Sequence, residues 1–230
     1  MKWTFGIITT GNNEENLSKV VNSILLQDII DYEIIIVGNT KIQGSKIKNI
    51  FFDESIKPGW ITRKKNLIAE TAKFKCLSIH HDYVTLDKNW YKYFLEFGDD
   101  WDVCMTRIET LNGKRFRDWV IWDESQPHKM FGNDGKIQYL SYTEDKKTNQ
   151  QYISGTYFCV KRDYLLRNKL DERRSWSESE DVEWSLRMRN SWKLRCNWKS
   201  KVVFCKEKDL NPIENPHEKE YETIKRHYDI

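Results

Sequence analysis

The chain has 230 residues, of which 38 are Lys or Arg and 35 are Asp or Glu, for a net charge of +3; 39% are hydrophobic and 13% aromatic. That length suits one ordinary domain, and so balanced a charge gives no polybasic surface for nucleic acid, so no nucleic-acid partner is expected. The aromatic content excludes a disordered chain, and no apolar run approaches the roughly 20 residues of a membrane-spanning helix.

Ten tryptophans in a chain of mean hydropathy −0.76 lead us to expect many rings near the surface. The five cysteines, Cys76, Cys104, Cys159, Cys196 and Cys205, are odd in number and form no C-x-x-C pair. They read as free, mostly buried thiols of a reducing compartment and not as a structural zinc site. The first apolar stretch ends by Thr10 and is too short for a signal peptide, so a cytoplasmic location is expected.

In chain order, Trp3 to Thr9 predicts a buried strand and Glu14 to Gln27 an amphipathic helix with Leu17, Val20, Val21, Ile24 and Leu25 on one face. Glu33 to Val37 and Ile47 to Phe52 predict two more strands, Ile61 to Phe74 a helix, Cys76 to Ile79 a fourth strand and Asn89 to Phe97 a third helix. Continuous apolar strands alternating with helices imply a doubly wound α/β layer. Beyond Trp101 the alternation breaks. Strands are expected at Trp101 to Ile108 and Tyr152 to Val160, on either side of an irregular polar and aromatic stretch, Leu111 to Gln151. A helix at Asp181 to Asn190 and a strand at Val202 to Cys205 precede a charged tail whose pattern predicts no element.

Ligands of open α/β sheets collect at the carboxyl ends of strands. The first such end, Thr9-Thr10-Gly11-Asn12-Asn13, is small and hydrogen-bonding and leads into a helix, either as a ligand loop or as an ordinary cap. After the second strand, Asn39 could offer its amide to a nucleobase edge, although Gly38-Asn39 is also common turn chemistry. Arg63, Lys64 and Lys65 open a helix, where cations are unfavourable unless a polyanion such as a diphosphate, or a solvated basic face, accommodates them. If the fourth strand stays extended, His80 and Asp82 share a side and form a partial shell for a divalent ion, with imidazole favouring Mn²⁺ over Mg²⁺. Near the last helix, Ser177 and Glu180 have capping-box spacing, while Asp181, or else Glu180, could act as a general base beside the stacking surface of Trp176.

Taken together and in this order, Ile7-Ile8-Thr9-Thr10-Gly11-Asn12, Tyr32 to Asn39, Arg63-Lys64-Lys65-Asn66, His80-His81-Asp82, and Gly155-Thr156-Tyr157 followed by Glu180-Asp181 resemble a glycosyltransferase of the GT-A fold, similar to glycosyltransferase family 2. The resemblance covers about Phe5 to Cys205. It implies a Rossmann-like, mostly parallel central sheet flanked by helices, with a nucleotide-sugar half over residues 1–100, an irregular acceptor half over 101–205 and the charged tail beyond. It further implies an inverting transferase that moves a sugar from a nucleotide-sugar donor, with UDP favoured, to a glycan hydroxyl in polysaccharide assembly, and it is compatible with peripheral membrane association.

By the same resemblance, Thr9, Thr10, Gly11, Asn39, Arg63, Lys65, Asn66 and His81 attend the donor nucleotide. Asp82 and His80 stand at the family's metal motif, where His80 replaces the usual first acid, and Asn39 stands where an acid is usual. Asp181, with Glu180, matches the catalytic base. Trp119, Trp122, Tyr157, Trp176 and Glu178 fall to the acceptor. Two other classes compete with this expectation: a catalytically degenerate carbohydrate- or nucleotide-binding protein of the same fold, and a glycoside hydrolase. The hydrolase needs opposed carboxylates about 5–9.5 Å apart, whereas Glu178, Glu180 and Asp181 crowd one segment.

Overall fold

The computed structural model describes residues 1–122, 137–144, 150–208 and 215–229. Its first strand, β1 (Trp3–Ile8), is buried at every position, as is all of β2 (Tyr32–Val37) after Tyr32. Both are covered on two faces, which is why their sequences run apolar without alternating. Between them α1 (Glu14–Leu25) buries Leu17, Val20, Val21 and Ile24, and Asn13 caps it by accepting the Asn16 N–H at 3.0 Å.

β3 (Ile47–Ile50), α2 (Ile61–Thr71), β4 (Cys76–His81), β5 (Val84–Leu86) and α3 (Trp90–Phe97) complete the first half, followed by β6 (Val103–Glu109). The expected strand at Tyr152 to Val160 is two strands, β9 (Gln151–Tyr152) and β10 (Tyr157–Lys161), separated by a bend at Gly155. The irregular stretch contains β7 (Val120–Trp122) and β8 (Ile137–Tyr139). The chain then runs through α4 (Arg162–Arg167), α5 (Glu180–Met188), β11 (Leu194–Phe204) and α6 (Glu218–Tyr228).

Eight strands form one sheet in the order β3-β2-β1-β4-β10-β6-β11-β5, and β8-β7-β9 form a small antiparallel one. Pairs among β1 to β4 are parallel, β10 runs antiparallel to β4 and β6, and β11 is parallel to β6. The last strand is longer than its apolar end suggests because a bulge at 198–200 bends it. There Asn197 donates to the Tyr93 carbonyl and Ser200 to that of Trp90, so the bulge holds α3.

The charged tail also has a structural role. Arg107 and Lys201 pair with Asp229 and Glu109, and Tyr221 donates to Glu109 at 2.8 Å, which fastens α6 to the sheet. All five cysteines are free. Among the described residues no helix is long and apolar enough to cross a membrane.

Most tryptophans are structural. Trp3 packs against Phe5, Trp90, Phe94 and Trp101 with ring centroids 4.8–6.1 Å apart, and Trp184 packs against Phe158, Tyr164 and Trp192. The surface aromatic layer expected from composition is therefore mostly core.

α2 lies close against β1 because Gly6 has no side chain; a Cβ there would sit 2.3 Å from Ile68 Cγ2. Gly6→Ala should lower stability by about 1–3 kcal/mol through overpacking, read as an earlier midpoint in urea or thermal unfolding.

Candidate active site

Strand ends gather one cluster. At the end of β1, Thr9 Oγ1 donates to Asp82 Oδ2 at 2.6 Å and accepts the Gly11 N–H at 2.9 Å. Gly11 and Gly38 have φ of +85° and +140°, and a Cβ on Gly38 would lie 2.1 Å from the Thr9 carbonyl oxygen, so the first two loops touch only because both residues are glycines. Asn39 lies against Gly11 and is exposed, as is Thr10.

The basic segment is used differently from the diphosphate role expected of it. Arg63 pairs with Glu70 at 2.9 Å and Glu172 at 3.1 Å. Lys64, buried, donates to the Thr9 carbonyl at 2.7 Å and pairs with Glu54. Lys65, wholly buried, donates at 2.8 Å to both Glu180 Oε1 and the Gly155 carbonyl. Asn66 exchanges hydrogen bonds with Leu170 and donates to Glu172. Carboxylates of this chain thus offset the cations at the start of α2, and the side chains of Arg63, Lys65 and Asn66 hold segment 170–180.

The metal shell expected of His80 and Asp82 does not form. Asp82 lies in the tight turn between β4 and β5, where strand alternation has stopped. His80 points into the core, with Nε2 2.8 Å from Ser78 Oγ, Nδ1 3.3 Å from the Val84 carbonyl, and Tyr157 and Phe5 edge-on. Burial lowers its pKa to about 4 and keeps it neutral. Among the described residues no group of three His, Cys, Asp or Glu side chains is placed to hold a metal. The residues present do not fit a divalent ion held by His80 and Asp82.

His81, unlike its neighbour, lines a cleft of about 230 Å³ with Tyr83, Thr156, Trp176, Asp181 and Lys208. Burial, then the ammonium groups of Lys65, Lys208, Lys206 and Lys64, hold its pKa well below the usual range. Asp181 is half-buried in the first turn of α5. Its Oδ2 accepts the Gly155 N–H at 2.8 Å and its Oδ1 the Val182 N–H at 2.9 Å. Burial, then the adjacent Glu180 carboxylate, raise its pKa to about 6, against the lowering effects of the Gly155 N–H and Lys65. The expected Ser177–Glu180 capping box is absent: Ser179 stands at the N-cap with φ +52° and no side-chain cap bond, and Glu180 turns inward to Lys65.

Of the acceptor-side residues, Trp176 is 66% exposed on the cleft rim, with its backbone N–H donated to the Gly59 carbonyl at 2.8 Å. Trp119 and Tyr157 are core. Trp119 Nε1 donates to the Glu144 carbonyl, and Tyr157 is wholly buried between Trp90, which donates to its hydroxyl, and His80. Both sit in apolar runs whose inward face the one-letter pattern leaves ambiguous. Glu178 is exposed and accepts the Ser175 N–H. Trp122 ends β7, and its side chain lies outside the described residues. Gly155, Tyr83 and Lys208 carry more of the cleft than the sequence suggests. Lys208 follows β11 within the charged tail, where no pattern distinguishes it.

A mostly parallel sheet whose first two loops touch, with a carboxylate at a late helix start beside the strand ends, defines an open α/β architecture with a cleft at the carboxyl edge of its strands. No family model matches the chain, and no curated protein sequence matches it. Solved structures do. Residues 1–349 of TarS from S. aureus match with TM-score 0.55 and 16% identity over 99% of this chain and 64% of that one. The same protein in complex with UDP-GlcNAc gives TM-score 0.57 and 14% identity over 99% and 65%. GalNAc-T7, crystallised with UDP, GalNAc and Mn²⁺, gives 0.65 and 15% over 98% and 48%. The chain spans about half to two thirds of the length of these structures. The fold of this chain is GT-A.

Because Lys65 is wholly buried and Glu180 is its one carboxylate within ion-pair distance among the described residues, Glu180→Ala should destabilise the protein by about 3–5 kcal/mol, the cost of an uncompensated buried charge, measured by chemical denaturation at neutral pH.

Proposed function

We propose that the protein is an inverting glycosyltransferase that takes a sugar from a nucleotide-sugar donor, UDP-linked by preference, and joins it to a glycan hydroxyl. The observation that carries this reading is Asp181. Its carboxylate is fixed by two backbone N–H groups, has its pKa raised to about 6, and faces the cleft at the carboxyl end of β4. The UDP bound to GalNAc-T7 and the UDP-GlcNAc bound to TarS support the donor class.

In this mechanism the first and second loops, with Thr9, Gly11 and Asn39, receive the nucleotide, and Trp176 offers its exposed face to an acceptor ring. Each Asp181 oxygen keeps a second acceptor site beyond its backbone bond, so the carboxylate can take the acceptor hydroxyl proton as that oxygen attacks the anomeric carbon. The bond from carbon to the donor phosphate breaks on the opposite face, and its electron pair leaves with the diphosphate. A pKa near 6 suits a base that must be free at neutral pH and still accept a proton in the transition state. Glu180, paired with Lys65 and still charged, acts through the pKa of Asp181 and not on substrate. The alternative, a binding protein of the same fold without turnover, predicts donor binding with no transfer and no donor hydrolysis.

Asp181→Asn should lower kcat by about 10²- to 10⁴-fold with donor affinity kept, in a transfer or donor-hydrolysis assay; wild-type turnover in that variant overturns the base assignment. In the wild type, kcat should fall as pH drops through about 6, because the productive form is the unprotonated carboxylate, with the apparent value belonging to the Asp181–Glu180 pair. Trp176→Ala should raise the acceptor KM with stability unchanged. Trp119→Ala should instead cost about 3–5 kcal/mol of stability as a core deletion, which paired kinetics and melting curves would separate.

A further inference from the structure

We propose that Lys206 and Lys208, on the chain leaving β11, hold the donor diphosphate beside the turn from β4 to β5, so that this chain's own ammonium groups carry the charge a divalent cation would otherwise neutralise. The proposal rests on the transferase reading above and deepens it. The Cys205 N–H donates to the Tyr83 carbonyl at 2.9 Å, which ties the exit of β11 to that turn. From there both lysines converge on one ring: Lys206 Nζ lies 4.1 Å and Lys208 Nζ 5.6 Å from the Tyr83 centroid.

The hydrogen-bond partners of Lys208 are neutral. Lys208 Nζ reaches the Tyr83 hydroxyl and Thr156 Oγ1, each at 3.3 Å, and lies 4.9 Å from the Phe116 ring centroid. Among the described residues neither lysine has a carboxylate within ion-pair distance, unlike Lys64 and Lys65. Burial, then Arg117 and Lys206, depress the Lys208 pKa to about 8, against the pull of Asp181 and Glu180. Among the described residues this partly buried ammonium group, set among aromatic rings and hydroxyls, has no carboxylate at ion-pair distance, and an anion in the cleft would supply a direct counter-charge.

The turn they overhang carries Asp82 and His81, and both feel the lysines. Burial raises the Asp82 pKa against the pull of Thr9, Lys206 and Lys64, while burial and then Lys65, Lys208 and Lys206 keep His81 neutral. A dication entering there would meet the same positive field with one carboxylate, already bound to Thr9, and no help from His80. A diphosphate would meet two ammonium donors suited to charge-assisted bonds with its oxygens.

The test is calorimetric titration of EDTA-treated full-length protein with UDP, GDP and dTDP and with the matching nucleosides, repeated with Mn²⁺. The expected result is metal-free binding of one diphosphate at least about tenfold tighter than its nucleoside. Lys206→Met with Lys208→Met should abolish that advantage while nucleoside binding persists, and Lys208→Arg should retain it; melting curves check that each variant folds. Diphosphate binding that appears only with Mn²⁺, or a double Met variant that binds like wild type, overturns the assignment and leaves the transferase reading intact. The wild-type comparison decides the matter even where a variant fails to fold. If no nucleotide binds with or without Mn²⁺, both fall.

Discussion

The buried contact between Lys65 and Glu180 is the constraint on which the site depends. An ammonium group with no exposed surface holds a carboxylate and the Gly155 carbonyl, each at 2.8 Å. Removing these charges from water is costly, and the geometry must recover the cost through short, saturated bonds. That requirement fixes three distant pieces of chain to one another: the start of α2, the bend between β9 and β10, and the first turn of α5. Once Gly155 is placed, its N–H is available for Asp181, and a Cβ at 155 would collide with Glu180 Oε1 at 2.6 Å. The position of the Asp181 carboxylate, and the neighbouring negative charge that raises its pKa, both follow from one buried lysine.

The same logic explains why segment 170–176 is packed so closely against α2. Lys57 and Trp60 donate to the Glu172 carbonyl, Thr62 to that of Arg174, and Asn66 to that of Leu170. These bonds leave the loop little freedom before it enters two positive-φ serines, Ser177 and Ser179, at the mouth of the cleft. Non-glycine residues hold such φ values only where their surroundings over-determine them. Here the surroundings are the α2 contacts on one side and the Lys65–Glu180 pair on the other.

What was legible in the sequence was the apolar rhythm. Strands buried on both faces and helices with one apolar stripe have periods that survive in one dimension, so β1, α1, β2, α2, β4 and α3 stand within a few residues of their expected places. The order of loops along that rhythm also carried the GT-A fold. Side-chain direction at element ends was not legible, because it depends on where alternation stops. The turn at Asp82 and Tyr83 ends the pleat one residue before Asp82, and His80 and Asp82 part company. Nor could one dimension show that the carboxylates of Glu54, Glu70, Glu172 and Glu180 would come together on the three cations of α2. α6 was missed because its buried residues, Tyr221 and Ile224, are few, and polar contacts with Arg107, Glu109 and Lys201 fasten its end.

The near-neutral composition hides a segregation of charge that only the fold reveals. The cations at the start of α2 are paired with acids, Lys64 and Lys65 in the core, and would be unfavourable beside the helix dipole without those partners. The pair after β11 has aromatic and hydroxyl neighbours instead. A net charge of +3 over 230 residues says nothing about such a division, because a buried ion pair contributes zero to the sum while ammonium groups without a carboxylate at ion-pair distance among the described residues add to the local potential. The field at the carboxyl end of β4 therefore depends on where the fold places Lys64, Lys65, Lys206 and Lys208 and what each is paired with, and not on how many lysines the chain contains.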